Sequence, residues 1–241
     1  REAAGNFYAS FLGCYEAFVR SHVPFNVLDE EALKPEILRE YDLLVAPNCA
    51  CISEAKAKTI SDYVKAGGNL IASFETSRYS EYGGLLNDFG LADVFGVRVG
   101  KGTFGPMRLD YMTVMNSHPV TDGLSAGLLP CPIYGIEAVP TTSKVLAMYH
   151  EKMPARYVKL PPLSKNPALL VNKHGKGHCL YMAGNFFEHY YNYHNPDYRR
   201  IVANAAHWMA KPLVTLENCP RSVEVTLRHQ PEKRRLMVHL V

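Results

Sequence analysis

The segment from Asp42 to Thr76 constrains the fold of this chain most, because it has the pattern of a βαβ unit. The run Leu43–Ala46 is apolar without alternation, which predicts a strand buried on both faces of a parallel sheet. Ser53 is a predicted N-cap, Gly67-Gly68 end the helix, and Asn69–Phe74 is the returning strand. Parallel α/β sheets bind ligands beyond the carboxyl ends of their strands, so the loops that follow these two strands carry the first candidate site residues.

The composition is that of a globular protein, with 47% hydrophobic and 20% charged residues among 241. A net charge of +3 without a long Lys/Arg run argues against a nucleic-acid or membrane partner. No segment approaches the roughly 20 consecutive apolar residues that a membrane-spanning helix needs. The six cysteines form no zinc-like pairs, so the sequence predicts no metal site and no cofactor.

Two units are predicted: an α/β domain over residues 1–212, and the beginning of a C-terminal β-sandwich or an attached hairpin over 213–241. Extended runs broken by Pro and Gly predict a β-rich insertion between about 97 and 167. The predicted sheet is doubly wound, mainly parallel and flavodoxin-like. Its neighbouring strands are Phe25–Leu28, Leu43–Ala46, Leu70–Phe74 and Cys179–Met182. A helix without a strand before it, and a hairpin at the other end, indicate a fragment of a longer protein.

The order and spacing of several short motifs resemble the class I glutamine amidotransferase-like fold, in the version found in the trimerisation domain of family 42 β-galactosidases. The motifs are YDLLVAP (41–47), YVKAGGNL (63–70), FGLADVFGV (89–97), HPVT (118–121), GKG (175–177) and PDYRR (196–200). The resemblance covers most of Asn6 to Met209. It implies a non-catalytic accessory domain of a glycoside hydrolase, whose partners are its own copies, as in a trimer, and other domains of the same chain. In such enzymes the catalytic carboxylates lie in a preceding (β/α)8 barrel, and a β-sandwich follows.

An active amidotransferase needs a cysteine nucleophile on a sharp turn after a strand, between small residues. The corresponding turn is Ser73–Ser77, where Glu75 occupies the nucleophile position between larger residues. Cys49 and Cys51 lie one strand earlier, and a structural role is favoured for both thiols. The alternative function is a cysteine-dependent hydrolase or amidotransferase-like enzyme that uses one of these thiols with His189.

Six residues are expected to line a crevice at the carboxyl edge of the sheet without forming a working triad. They are Asn48, Cys49, Glu75, Arg78, Glu188 and His189. Glu188 and His189 are neighbours in the sequence and are candidates for an acid-base pair, and the imidazole is expected to titrate near neutrality. If the crevice abuts a barrel active site, these side chains are candidates for contacts with sugar hydroxyls.

An aromatic run, read as a loop, follows the last core strand. Its candidate contact residues are Phe186, Tyr190, Tyr191 and Tyr193. The favoured hypothesis is a contact between subunits or with the local core, since interfaces are enriched in Tyr and Phe. The other hypothesis is a platform for a sugar ring, which makes the chain a carbohydrate-binding module. No catalytic residue is assigned on either hypothesis.

Overall fold

The computed structural model of this chain describes residues 5–124 and 127–241, in which six α-helices are combined with eleven β-strands. The helices are α1 Phe7–Val19, α2 Pro35–Leu38, α3 Glu54–Ala66, α4 Ala92–Phe95, α5 Phe186–Tyr193 and α6 Pro196–Met209. The strands are β1 Leu43–Ala46, β2 Asn69–Ser73, β3 Val97–Phe104, β4 Tyr111–Val114, β5 Leu128–Pro130, β6 Gly135–Pro140, β7 Lys144–His150, β8 Leu163–His174, β9 Gly177–Met182, β10 Val225–Gln230 and β11 Arg235–Leu240.

Seven strands form one mixed sheet in the order β1-β2-β9-β8-β7-β4-β5. The predicted βαβ unit is confirmed, since β1 and β2 are parallel neighbours and β2 is also parallel to β9. The other four pairs are antiparallel, so the prediction of a mainly parallel sheet is wrong. The reason is that the β-rich region, predicted as an insertion, contributes β4, β5 and β7 to the main sheet itself.

The local signals that bound the βαβ unit are present as predicted. Ser53 is the N-cap of α3, and its side chain accepts a hydrogen bond from the Lys56 N–H. Gly67 ends α3 with a φ of 126°, a conformation that glycine adopts without steric cost. Strands β8 and β9 form a hairpin that turns at Gly175 with a φ of 62°.

The segment Phe25–Leu28 is not a strand, which corrects the prediction that it joins the sheet. The Phe25 ring instead packs edge-on against the rings of Tyr15 and Phe18 in α1, with centroids 5.2 and 5.7 Å apart. Consequently β1 pairs only with β2 within the described residues, and it forms one edge of the main sheet.

Both faces of the main sheet are covered by helices. Ile71 and Leu180 point into a core that is shared with α1, α5 and α6, whereas Leu70 and Tyr181 point into a second core with α3 and α4. The packing between α1 and α5 is close, because a Cβ added at Gly13 would lie 1.9 Å from a backbone oxygen of α5. Burial on both faces explains the apolar runs without alternation in β2 and β9.

Two smaller sheets complete the described part of the chain. Strands β3 and β6 pair in one antiparallel ribbon. Strands β10 and β11 pair in another, from Val225 with Leu240 to Gln230 with Arg235, and a 3₁₀ helix at Pro231–Lys233 connects them.

Candidate functional site

The loops after β1 and β2 meet at the carboxyl edge of the sheet and are joined by hydrogen bonds. The Asn48 N–H donates to Ser73 Oγ at 3.1 Å, and Asn48 Oδ1 accepts from the Glu75 N–H at 3.2 Å. The Ser77 N–H donates to the Cys49 carbonyl at 2.9 Å. The structure therefore brings Asn48, Cys49 and Glu75 together, and it uses backbone groups and an amide side chain to do so.

The turn after β2 contains two residues with strained backbone, Phe74 with a φ of 53° and Ser77 with a φ of 60°. Ser77 is buried, and its Oγ accepts a hydrogen bond from the Leu91 N–H at 3.1 Å. A nucleophile elbow places its nucleophile at such a strained turn. The nucleophile position was predicted at Glu75, whereas the strained residue that directly follows β2 is Phe74, one residue earlier. Phe74 is fully buried, and its carbonyl accepts a hydrogen bond from the Tyr181 O–H at 2.5 Å. A phenyl ring has no nucleophilic atom. Within the described residues, moreover, the next α-helix begins only at Ala92.

The two candidate thiols lie in the loop that follows β1, and the environment of Cys49 does not activate it. Burial raises the pKa of Cys49 to about 11, so this thiol is protonated at neutral pH. A catalytic cysteine needs the opposite, because the thiolate is the nucleophile. Cys51 is exposed and follows the same loop. Both cysteines line a large groove along β1, whereas His189 lines a different cavity.

Arg78 and Glu75 form hydrogen bonds with different groups. The Arg78 guanidinium is buried and donates to the backbone carbonyls of Leu86 and Asp88. It thereby holds the loop that follows the turn. The Glu75 carboxylate accepts a hydrogen bond from the Tyr79 O–H at 3.3 Å.

Glu188 stabilises the beginning of α1. Its carboxylate accepts hydrogen bonds from the Asn6 N–H at 2.8 Å and from Asn185 Nδ2 at 3.0 Å. Within the described residues no hydrogen bond joins Glu188 to His189, so the expected acid-base pair is not formed. The reason is that both residues lie in helix α5, where neighbours project about 100° apart. The structure thus has a helix where the sequence was interpreted as an aromatic loop.

His189 is 8% exposed, and its ring contacts Tyr193 and Tyr198 with centroids 4.6 and 5.0 Å apart. Its Nδ1 has no hydrogen-bond partner among the described residues. Burial lowers the pKa of His189 to about 4, which corrects the expectation that it titrates near neutrality. The imidazole lines a cavity of about 680 Å³, whose other lining residues are Arg108, Pro130, Ile133, Tyr193, Asn195 and Pro196.

The four candidate aromatic residues divide between core and surface. Phe186 and Tyr190 are buried, 2% and 3% exposed, so neither offers a platform to a ligand or a subunit. Tyr191 is half-buried, and Tyr193 is 61% exposed. The i, i+4 spacing of the two buried rings is the sequence signal for a helix with one apolar face, and the loop prediction overlooked it.

Arg108 and Asn195 are cavity residues that the sequence did not single out as ligand candidates. Asn195 was predicted only as a cap, and it is one, because its Oδ1 accepts from the Asp197 N–H at 2.9 Å. Arg108 lies between β3 and β4, far from His189 along the chain, and it has no local motif. Only the tertiary fold brings these side chains together.

Within residues 5–124 and 127–241, no group of three or more His, Cys, Asp or Glu side chains is arranged to hold a metal ion. No helix in the same ranges has the length and apolar character that crossing a membrane requires.

The buried imidazole predicts a pH dependence of stability. The pKa of His189 is about 4 in the folded chain and about 6.5 when unfolded, so between these values the unfolded state binds more protons. Stability is therefore retained above about pH 6.5 and falls as the pH drops toward 4, by about 3 kcal/mol at most. Urea unfolding at pH 7, 5.5 and 4.5 measures this loss. His189→Gln should lose less stability over this pH range, whereas the control His207→Gln, at an exposed site, should lose as much as the parent chain. The prediction is contradicted if the free energy of unfolding changes equally with pH in all three chains.

Comparison with known proteins agrees with the architecture. The β-galactosidase LacA of Lactobacillus acidophilus is 25% identical over 189 residues, which are 76% of this chain and 25% of that protein. This chain thus spans about a quarter of that relative. The crystal structure of β-galactosidase from Bacillus circulans sp. alkalophilus matches 95% of this chain and 31% of its own, with a TM-score of 0.72 and 19% identity. The α-L-fucosidase isoenzyme 2 of Paenibacillus thiaminolyticus matches 97% of this chain and 34% of its own, with a TM-score of 0.69 and 20% identity.

At these identities the two structures show the fold alone. The family is shown by the sequence itself, because a sequence model of the β-galactosidase trimerisation domain matches residues 7–193. This match covers well over half of the chain and confirms the resemblance carried by its motifs. The chain therefore belongs to the β-galactosidase trimerisation domain family.

Proposed function

We propose that this chain is a self-associating, non-catalytic domain of a longer glycoside hydrolase of the β-galactosidase type. The observation that carries the proposal is the family match over residues 7–193, supported by relatives that are about four times as long as the matched region. In this proposal the domain joins copies of the enzyme in a trimer and packs against the other domains of its own chain. Residues 1–212 form the domain, and 213–241 begin a following β-sandwich.

The finer description of the fold belongs to the same proposal. We infer that the parallel strands β1, β2 and β9, with helices on both faces, are the amidotransferase-like, doubly wound part of the domain. The antiparallel strands β8, β7, β4 and β5 extend this part of the sheet on one side only.

The geometry at the carboxyl edge supports a non-catalytic role. The strained residue that directly follows β2 is Phe74, and burial keeps the Cys49 thiol protonated. His189 lines a separate cavity, and its lowered pKa reflects a ring buried among aromatic side chains. Acyl transfer needs a nucleophile within about 3 Å of its base, and these residues do not provide that contact.

Assays with the purified chain test the non-catalytic proposal against the cysteine-enzyme alternative. We expect no turnover of glutamine, small amides or nitrophenyl glycosides above the buffer rate, measured by ammonia release and by nitrophenol absorbance. Cys49→Ser and Cys51→Ser should give the same baseline as the parent chain. Turnover that either substitution abolishes would establish the cysteine enzyme instead.

A cluster of exposed apolar side chains between β7 and β8 is the surface that we assign to self-association. Its members, which we call the 157–163 face, are Tyr157, Val158, Leu160 and Leu163. The Tyr157 side chain is fully exposed. The connection is anchored to β7, because the His150 Nδ1–H donates to the Pro161 carbonyl at 2.7 Å and the Glu151 N–H donates to the Pro162 carbonyl at 2.9 Å. An anchored apolar surface of this kind favours a protein partner, and the family favours a second copy.

Tyr157→Asp should weaken self-association, because it replaces the most exposed ring of the 157–163 face with a charge. Central aromatic residues of interfaces contribute about 2 kcal/mol or more, so the dissociation constant should rise about 30-fold or more. Light scattering across a concentration series measures the effect, and the parent chain should reach the mass of three copies. Tyr82→Asp is the matched control, because Tyr82 is 91% exposed in another loop.

The self-association proposal fails if the parent chain stays monomeric over that series. The assignment of the 157–163 face fails if Tyr157→Asp assembles like the parent, or if Tyr82→Asp weakens assembly equally. Circular dichroism of both variants should overlay that of the parent, since both side chains are exposed.

A second candidate function is a sugar contact in the cavity beside His189. The exposed Tyr193 ring offers an apolar face to a pyranose, and Arg108 and Asn195 offer hydrogen-bond donors to hydroxyls. The cavity volume of about 680 Å³ lies in the range of small-molecule sites. The observation that favours this function is the buried His189 Nδ1, which lacks a partner among the described residues.

Titration with methyl β-galactoside tests the sugar contact. We expect saturable binding with a dissociation constant in the range of about 1–10 mM, measured by calorimetry or by NMR shifts. Tyr193→Ala should weaken binding about tenfold, by removing the apolar platform, while Tyr82→Ala should leave it unchanged. Absence of saturation, or equal affinity in both variants, would remove this candidate.

A further inference from the structure

The outer edge of β1 borders a groove of about 1540 Å³. We call it the β1 groove. One side is formed by β1, which has no paired strand on this edge within residues 5–124 and 127–241. The segment 24–29, which joins no sheet, also lines the groove. Exposed apolar side chains border the groove, namely Phe7, Tyr8 and Val27.

The β1 groove is covered by a helix on each face of the sheet. Phe18 and Cys14 of α1 line it on the side where Leu43 and Val45 pack. Ile60 of α3 lines it on the opposite side, with Leu44. A position between two helix layers and beside a free strand edge has the surroundings of an inner strand of an α/β sheet.

We propose that the β1 groove is filled by a β-strand, parallel to β1, from the residues that precede this chain in the longer protein. The proposal rests on the proposed function, because it requires a longer polypeptide. The matched β-galactosidases are longer polypeptides, since this chain covers only about 31% of the first matched structure. The strand forms backbone hydrogen bonds with β1 and leads into α1.

The direction of the strand follows from where α1 begins. Gly5 lines the groove next to the carboxyl ends of β1 and β2, because a Cβ added to it would lie 3.0 Å from the Phe74 ring and 3.2 Å from Asn48 Nδ2. Polypeptide that enters α1 from the groove must therefore run toward this edge, as β1 does. A strand followed by a helix that packs back on the same sheet is the ordinary connection of an α/β fold.

The groove also specifies the chemistry of the strand. Strand β1 has four residues, so about four to six residues pair with it, at about 3.3 Å each. Both faces of this strand meet apolar side chains, so it should be a continuous Val-, Ile- or Leu-rich run rather than an alternating one. This composition distinguishes the proposed occupant from a polar linker.

Two versions of the protein test the proposal: residues 1–241, and the same chain preceded by its 15 or so native upstream residues. Hydrogen exchange followed by mass spectrometry should show amides of Leu43–Ala46 protected at least tenfold more in the longer version. Alkylation of Cys49, which lines the groove, should slow at least tenfold, while Cys219, which does not line it, should react equally in both versions. A proline in the middle of the upstream run should return both readouts to those of the shorter chain, because it removes a ladder hydrogen bond.

The proposal is overturned if the upstream residues leave exchange at β1 and alkylation of Cys49 unchanged. It is also overturned if protection grows with protein concentration in the shorter chain, because a strand of a second copy then fills the groove. Light scattering on both versions separates this result from the proposed function, since assembly through the 157–163 face does not require the groove to be filled.

Discussion

The arrangement of the parallel strands depends on one buried amide, that of Asn69 at the beginning of β2. Its Nδ2 donates to the Asp42 carbonyl at 3.0 Å and to the Met209 carbonyl at 2.8 Å, and its Oδ1 accepts from the His178 N–H at 3.0 Å. The amide thus connects the beginnings of β1 and β9 with the end of α6. A buried backbone group without a partner costs about 1–3 kcal/mol, so this single side chain fixes the register of three strands and the position of one helix.

The opposite ends of the same strands are fixed by polar contacts in the same way. Thr76 Oγ1 donates to the Ala46 and Ser73 carbonyls, and the Tyr181 O–H donates to the Phe74 carbonyl. These groups hold the loops that follow β1 and β2. The features that remain available for function are on the surface: the 157–163 face, the His189 cavity and the β1 groove.

The sequence predicted the elements that are set by neighbours along the chain. The βαβ unit has a cap, glycines and an apolar pattern of its own, and it is present. Features set by distant residues were mispredicted. The segment Phe25–Leu28 has strand composition but no paired strand, and strand direction beyond β9 follows from non-local pairing. The pKa of His189 depends on burial by Tyr193 and Tyr198, of which Tyr198 lies in a different helix.

The two edges of the main sheet differ in a way that bears on how the longer protein is built. Unpaired strand edges attract other strands, and proteins protect them with short strands, proline or charge. Strand β5 is protected, because it has three residues and ends in Pro130, which has no N–H to donate. Strand β1, Leu43–Ala46, has neither proline nor charge, and helices cover both of its faces. Of the two edges, β1 is therefore the one that is open to pairing with a further strand.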